Sequence, residues 1–353
     1  MNYFLFFLIA VILTGITVCP RNEFHQGKYI SQSNTRCIEG IFVLMVVFSH
    51  YSSGYITPGQ NDNIYLAVQG HLGQNIVTMF LFYSGFGMMS GIQRKGMDYT
   101  RSIPQKFLKL LVRFDFAVFL FAVVQSFYGN TYSIRRLFLS AIGWSSIGYS
   151  NWYIFVMLCI YCYFYFSFLI SYRFIKKNSD TVGALLLSVL CLLLVVIQKK
   201  IGREAYSYNT IVAFVAGVWF CKMEKLWRRY CMKTDAEYYA VVSIVVAMYA
   251  LASLHKGGRL LWYEIWVLLF AALIVLISMK VSISSPLLDF LGSHVFSIYI
   301  LQRIPMIVLG QAGFTKIHPY CSLIIVISST FVLAVLFDWF FEKVLFKREF
   351  VNV

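Results

Sequence analysis

Residues 35–51 read TRCIEGIFVLMVVFSHY, a run that opens with charge, stays apolar for most of a membrane crossing and then holds a histidine. On a helix, Glu39 and His50 are eleven residues apart, which turns the chain by about 1100° and returns it to nearly the same face. Arg36 precedes Glu39 by three residues and shares that face. Because an ionisable side chain inside a bilayer normally faces a bundle interior or a wet cavity, this stripe predicts a cavity beside His50.

The composition indicates a membrane protein. Of the 353 residues, 59% are hydrophobic and only 13% are charged, and the mean hydropathy is +0.72. Apolar runs of membrane-spanning length recur along the chain, without a polar block long enough to fold alone. These runs are continuous rather than alternating, which disfavours a β-barrel. The sequence therefore predicts an all-α, polytopic membrane helix bundle that forms a single domain over residues 1–353.

The apolar runs predict about eleven transmembrane helices. They cover approximately residues 3–19, 37–57, 71–92, 114–128, 151–172, 181–197, 208–222, 236–254, 261–279, 294–311 and 319–341. Glycine and serine interrupt residues 134–149, which predicts a short, re-entrant or surface helix there. No basic residue precedes the first run, so we expect an uncleaved helix instead of a signal peptide.

The basic residues predict the orientation of the chain. Of the 30 Lys and Arg residues, twenty-one fall in the loops on one side of the predicted membrane and eight in the loops on the other. Because cytoplasmic loops carry an excess of Lys and Arg, we expect the N-terminus outside and the C-terminus in the cytoplasm. Topology and anionic membrane lipids thus account for the net charge of +15, and no nucleic-acid partner is predicted.

His50 is the leading candidate for chemistry. The ordinary pKa of histidine, about 6.5, suits proton transfer at neutral pH. The alternative is a histidine that packs between helices and bonds to a neighbouring carbonyl group. For Glu39 the alternative is a carboxylate that pairs with Arg36 at the membrane boundary. Both alternatives remain open at this point.

Two further segments carry polar residues of interest. The loop and helix start after the third predicted span hold Arg94, Lys106, Lys109 and Arg113, which could bind a phosphorylated ligand of the acyl-CoA type or could reflect topology alone. The tenth predicted span is unusually polar: we expect Arg303 to face the interior and Pro305 to kink the helix. The chain has no metal-ligand spacing and no nucleotide-binding loop, so neither a metal nor a permanently bound cofactor is predicted.

These segments together resemble the acyltransferase-3 family of multi-span bacterial acyltransferases. The resemblance covers about residues 35–345, so residues 1–34 would be an extra span and loop before a family-like core. It is carried by runs at 39–50, 80–85, 106–110, 151–154 and 291–299. The family typically has a basic residue where Glu39 stands, ten residues before the histidine, and often has a histidine where Gln302 stands.

The resemblance implies a membrane O-acyltransferase of the bacterial cytoplasmic (inner) membrane. It would move an acyl group, commonly acetyl, from cytoplasmic acyl-CoA to a hydroxyl of a surface or exported glycan. His50, Glu39 and Arg36 would be catalytic, and the basic loop would hold the donor. The residues that would line the substrate cavity are Ser84, Trp152, Tyr153, Ser297, Tyr299, Gln302 and Arg303. The alternatives are a transporter of a glycan or lipid intermediate, and a non-catalytic membrane protein of polysaccharide assembly.

Overall fold

Helices make up almost the whole chain, which the computed structural model describes over residues 1–25, 28–56, 59, 62–231 and 233–345. The helices are α1 (Asn2–Thr14), α2 (Gln32–Tyr55), α3 (Asn63–Leu72), α4 (Asn75–Lys95), α5 (Met97–Phe127), α6 (Ile134–Ala141), α7 (Trp152–Phe174), α8 (Ser179–Lys200), α9 (Ile211–Cys231), α10 (Asp235–His255), α11 (Leu260–Lys280), α12 (Pro286–Ser293), α13 (Val295–Leu301), α14 (Arg303–Gln311), α15 (Phe314–Ile317) and α16 (Pro319–Trp339). Two short strands, β1 (Ile16–Val18) and β2 (Val281–Ile283), pair antiparallel. The C-terminus, predicted to be cytoplasmic, lies outside the described residues.

The all-α membrane bundle is confirmed, but the count of eleven spans is not. Within the described ranges, seven helices are long and apolar enough to cross a membrane, or eight if the bent pair of α12 with α13–α14 counts as one span. Each predicted span does contain a helix. However, α1 has only 13 residues, which is about 20 Å and falls short of a hydrocarbon core of about 30 Å.

The tenth predicted span is broken. α12 and the helix that follows it meet at 69°, and His294 lies at that bend. A second interruption falls at Gln302, between α13 and α14. Pro305 explains the second one, because it lacks the N–H that would bond to the Leu301 carbonyl. The kink predicted at Pro305 is therefore only one of two breaks, and the larger bend lies nearer the start of the segment.

Residues 134–149 form the predicted short helix, α6, and then a loop that leads back into the bundle. Gly143 and Gly148 adopt positive φ angles of 72° and 124° in this loop, conformations that favour glycine. The Asn151 side chain donates a hydrogen bond to the Gly143 carbonyl at 2.6 Å. Tyr149 is buried and donates to the Ser140 carbonyl at 2.8 Å. These contacts hold the loop so that it can present Ser150 to the bundle interior.

α2 lies at the centre of the bundle and packs most closely against α12. A Cβ atom added to Gly40 would lie 2.2 Å from the Leu288 carbonyl oxygen, and one added to Gly292 would lie 1.9 Å from the Arg36 carbonyl oxygen. Neither distance leaves room for a carbon atom, so the two backbones touch directly. Small residues permit this close approach of membrane helices. The contact holds the broken helix against the stripe that carries Arg36, Glu39 and His50.

Replacing Gly292 with alanine is expected to lower the free energy of unfolding by about 1–3 kcal/mol, the usual cost of overpacking a tight contact. The reason is that the added methyl group meets backbone, which cannot rotate away. Thermal unfolding of the purified protein in detergent measures the effect. Gly87→Ala is the matched control, since Gly87 is helical and has open space at its Cβ position. Equal stability of the two variants would contradict the close packing of α2 against α12.

Candidate active site

His50 lies near the C-terminal end of α2, and its imidazole is held by a residue from a distant loop. The Oγ atom of Ser150 lies 3.3 Å from Nε2. Nδ1 is buried and has no hydrogen-bond partner among the described residues. A neutral imidazole can accept a proton from a hydroxyl group that reaches its unprotonated ring nitrogen. The arrangement therefore suits a general base.

The start of α14 brings further polar groups to His50. The side chains of Arg303 and Gln302 both lie close to the imidazole. Gln302 is fully buried, and its Nε2 donates to the Tyr299 carbonyl at 3.0 Å. Arg303 also lies near the phenol groups of Tyr55 and Tyr299 and interacts with them electrostatically. The interior position predicted for Arg303 is thus what the structure has.

One cavity beside His50 lies between α2, α3, α4, α7 and α13. This α3 cavity has a volume of about 470 Å³, and its wall includes Ser49, Gln69, Trp152 and Tyr299 as well as His50. Gln69 donates to Ser49 at 3.0 Å, which ties α3 to α2. The predicted cavity-lining residues Trp152 and Tyr299 therefore do line a cavity at His50.

A second cavity touches His50 from the α14 side. This α14 cavity, of about 310 Å³, is lined by His50, Arg303 and the 53–55 segment among others. It adjoins a larger α15 cavity of about 520 Å³, with which it shares Tyr55 and Ile307 and which extends to Lys316 on α15. His50 thus stands in the wall between two openings, both at the end of the bundle where α2 ends. We refer to this as the His50 end.

Tyrosine side chains connect His50 to the opposite end of the bundle. The rings of Tyr299 and Tyr153 lie 5.4 Å apart, and Tyr153 interacts with both Ser84 and Glu39. Tyr83 also lies close to Glu39. A column of polar groups therefore runs inside the bundle from Glu39 to His50. Ser84 and Tyr153, predicted to line the substrate cavity, belong to this column.

Arg36 and Glu39 remain close together at the start of α2, which we call the Arg36 end. Arg36 lines an opening of about 460 Å³ together with Cys37, Ser285 and Asp289. Eleven residues of helix separate Glu39 from His50, which places it about 16 Å along the axis. The structure therefore puts the three predicted catalytic residues on one stripe but does not bring Arg36 or Glu39 to the imidazole.

The four basic residues predicted to hold the donor occupy different environments. Arg94 is exposed and bonds to the Ser90 carbonyl of its own helix at 3.3 Å. The Nζ of Lys106 lies 3.8 Å from the ring centroid of Tyr99, and Lys109 follows one turn later on α5. Arg113 pairs with the carboxylate of Asp338 on α16. Arg113 is therefore paired inside the protein, whereas Arg94 lies just before α5 and Lys106 and Lys109 lie in the first half of α5.

Asp338 organises a cluster that sequence reasoning missed. Its carboxylate accepts hydrogen bonds from Arg113, from Nδ1 of His294 and from Oγ of Ser297. The cluster joins α5 and α16 to the bend before α13. Ser297, predicted to line the substrate cavity, is fully buried here instead. A carboxylate inside the apolar run of residues 319–341 was the signal that could have revealed the cluster, because such a residue needs a partner.

Within the described part of the chain, no group of three or more His, Cys, Asp and Glu side chains could hold a metal ion. The site therefore consists of a histidine between two cavities, a nearby arginine, and a polar column that leads to the Arg36 end. Such a set can move a proton and stabilise negative charge.

Comparison with known proteins gives one match. A family model described as an acyltransferase domain, that of the acyltransferase-3 family, matches residues 36–339. The match includes α2 with Arg36 and His50, the broken segment with Arg303, and α16 with Asp338. No curated protein and no solved structure matches the chain.

Proposed function

Since the chain belongs to the acyltransferase-3 family and is a membrane acyltransferase by that membership, we propose that it transfers an acyl group, commonly acetyl, from acyl-CoA to a hydroxyl of a surface or exported glycan. The proposed location is the bacterial cytoplasmic (inner) membrane, with the Arg36 end facing the cytoplasm and the His50 end facing outward. The clustering of basic residues in the loops at the Arg36 end supports this orientation.

The observation that carries the proposal is the position of His50 in the wall of two cavities, with one ring nitrogen beside Ser150. A packing histidine would have its polar atoms satisfied by neighbours, as most buried polar groups do. Here Nδ1 has no partner in the described residues. A histidine that borders two cavities and is positioned beside a hydroxyl group favours a residue that takes a proton from a substrate.

The proposed reaction needs few steps. His50 accepts the proton of the acceptor hydroxyl, and the hydroxyl oxygen forms a bond to the thioester carbonyl carbon. As the carbon–sulfur bond breaks, the proton passes from the imidazolium to the leaving thiolate, so that the products are the acylated glycan and free CoA.

The donor would approach from the Arg36 end. Arg36 lines the opening there, and Lys106 and Lys109 lie on one face of α5 near its start. Cations of this kind suit the phosphate groups of CoA. Glu39, Tyr83 and Tyr153 would then flank the route along which the acyl group reaches His50.

Mass spectrometry of surface glycans from cells with and without the protein tests the proposal. We expect glycan from the first cells to carry extra mass equal to one acyl group per modified sugar, and the difference to vanish on mild alkaline treatment, which removes esters. Loss of the glycan from the surface of deficient cells, with unchanged acylation of any glycan that remains, would instead indicate a transporter. If the two cell types show neither difference, that result would contradict an acyltransferase that acts on glycans.

A further inference from the structure

The cavities at the His50 end carry positive charge without a matching negative charge. Arg303 lines the α14 cavity and Lys316 the adjoining α15 cavity. Among the described residues that line these two cavities and the α3 cavity, none is Asp or Glu. An occupant that extends through the α14 and α15 cavities therefore meets His50, Arg303 and Lys316, and no carboxylate among the described lining residues.

Of the two cations, Arg303 is the stronger evidence for an anionic ligand. Its Nε is buried and has no hydrogen-bond partner in the described part of the chain, where the guanidinium also forms no ion pair. A guanidinium group inside a membrane bundle is costly unless it is paired or faces a ligand pathway. Its opening to the α14 cavity provides such a pathway.

Two other cations inside this protein are paired. Arg113 pairs with Asp338, and Lys280, which is only 6% exposed, pairs with Asp235 at 2.6 Å. In both cases the partner is a carboxylate of the chain itself. Arg303 has no carboxylate partner among the described residues and lies next to His50. We therefore expect its partner to be a group of the substrate.

The remaining wall of the α15 cavity suits a sugar. Gln125, Gln311 and Thr315 provide amide and hydroxyl groups, and the ring of Tyr55 provides a flat apolar face. Sugars offer hydroxyl groups for the former and C–H faces for the latter. The ring of Tyr55 also lies 5.5 Å from that of Tyr51, which helps to hold it in place.

We infer that the acceptor is an acidic glycan, whose anionic group pairs with Arg303 while a neighbouring hydroxyl faces His50 and the chain passes out beside Lys316. This inference rests on the proposed function and specifies its substrate class. The anion could be a carboxylate, as in a uronic acid, or a phosphate attached to the sugar. Both offer oxygens that a guanidinium can bind in a bidentate manner.

Binding measurements on the full chain in nanodiscs of phosphatidylcholine test the inference. The probes are a hyaluronan tetrasaccharide, which carries carboxylates, the neutral chitotetraose, and mannose 6-phosphate with mannose as its neutral counterpart. We expect an acidic probe to bind more tightly than its neutral counterpart by about tenfold or more, because a hydrogen-bonded ion pair typically contributes that much. The acidic probe that binds more tightly than its neutral counterpart shows whether the anion is a carboxylate or a phosphate.

Variants locate the binding. Arg303→Gln should remove most of the preference for the acidic probe, Arg303→Lys should retain part of it, and Lys316→Gln should weaken it by a smaller factor because Lys316 is exposed. Arg135→Gln is the matched control, since Arg135 is an exposed cation that lines none of these cavities.

Two outcomes would overturn the inference. One is equal affinity of the wild type for acidic and neutral probes, or no binding of any of them. The other is a preference that Arg303→Gln leaves intact. If Arg303→Gln does not fold, the decision rests on Arg303→Lys and on whether added salt weakens binding of the acidic probe by the wild type. Any of these results leaves acyl transfer by His50 as a separate question.

Discussion

Replacing His50 with alanine is expected to abolish glycan acylation while the protein still accumulates in the membrane. A general base contributes a factor of about 10²–10⁴ to the rate, and no other histidine borders the α3 or α14 cavity among their described lining residues. His50→Gln tests the same point with a side chain closer in size. The measurement is the acyl content of surface glycan, by mass spectrometry, from cells that carry each variant at equal protein level.

His255→Gln is the matched control for these variants. His255 is exposed at the end of α10, where it contacts its own helix through the Leu251 carbonyl, so its loss should leave acylation unchanged. Acylation that persists at the wild-type level in His50→Ala would exclude His50 as the base and would leave it as a packing residue.

The largest loss of stability is expected from Asp338→Ala. The substitution leaves Arg113 without its partner and removes the acceptor for His294 and Ser297. Breaking a buried ion pair by removing one partner costs about 3–5 kcal/mol. Because Arg113 is 25% exposed and also lies near Glu342, we expect the lower end of that range. We therefore expect a much lower unfolding temperature in detergent and reduced accumulation in the membrane.

Two comparisons make this prediction specific. Asp98→Ala removes the exposed partner of Arg101, a pair at 3.5 Å whose side chains are 72% and 81% exposed, and should change stability by less than about 1 kcal/mol. The double variant Arg113→Met with Asp338→Leu should recover part of the stability lost in Asp338→Ala, since it buries no charge. If Asp338→Ala and Asp98→Ala unfold at the same temperature, the cluster does not stabilise the protein.

Helical periodicity allowed the central stripe to be predicted from the sequence. Arg36, Glu39 and His50 occupy one face of α2, and the cavity expected beside His50 is there. The interior position of Arg303 could also be predicted, because an arginine deep in an apolar segment has few other places to go. Both inferences concern residues within a single helix, where spacing along the chain determines direction in space.

Contacts between distant segments could not be predicted in the same way. Asp338 and Arg113 are 225 residues apart, and Ser150 reaches His50 across 100 residues. Nothing in the local sequence states which helices pack together. The bend at His294 was missed for a related reason. Pro305 gives a local signal, whereas the bend follows the segment α12, which packs against the distant helix α2 at Gly40 and Gly292.

The most direct test of the account uses the purified protein in proteoliposomes that hold labelled acetyl-CoA on the side of the Arg36 end and a glycan acceptor on the other. We expect label to appear on the glycan as an ester with the wild type and to be absent with His50→Gln. Equal labelling by the two proteins, or movement of unmodified glycan across the membrane without labelling, would contradict transfer at His50.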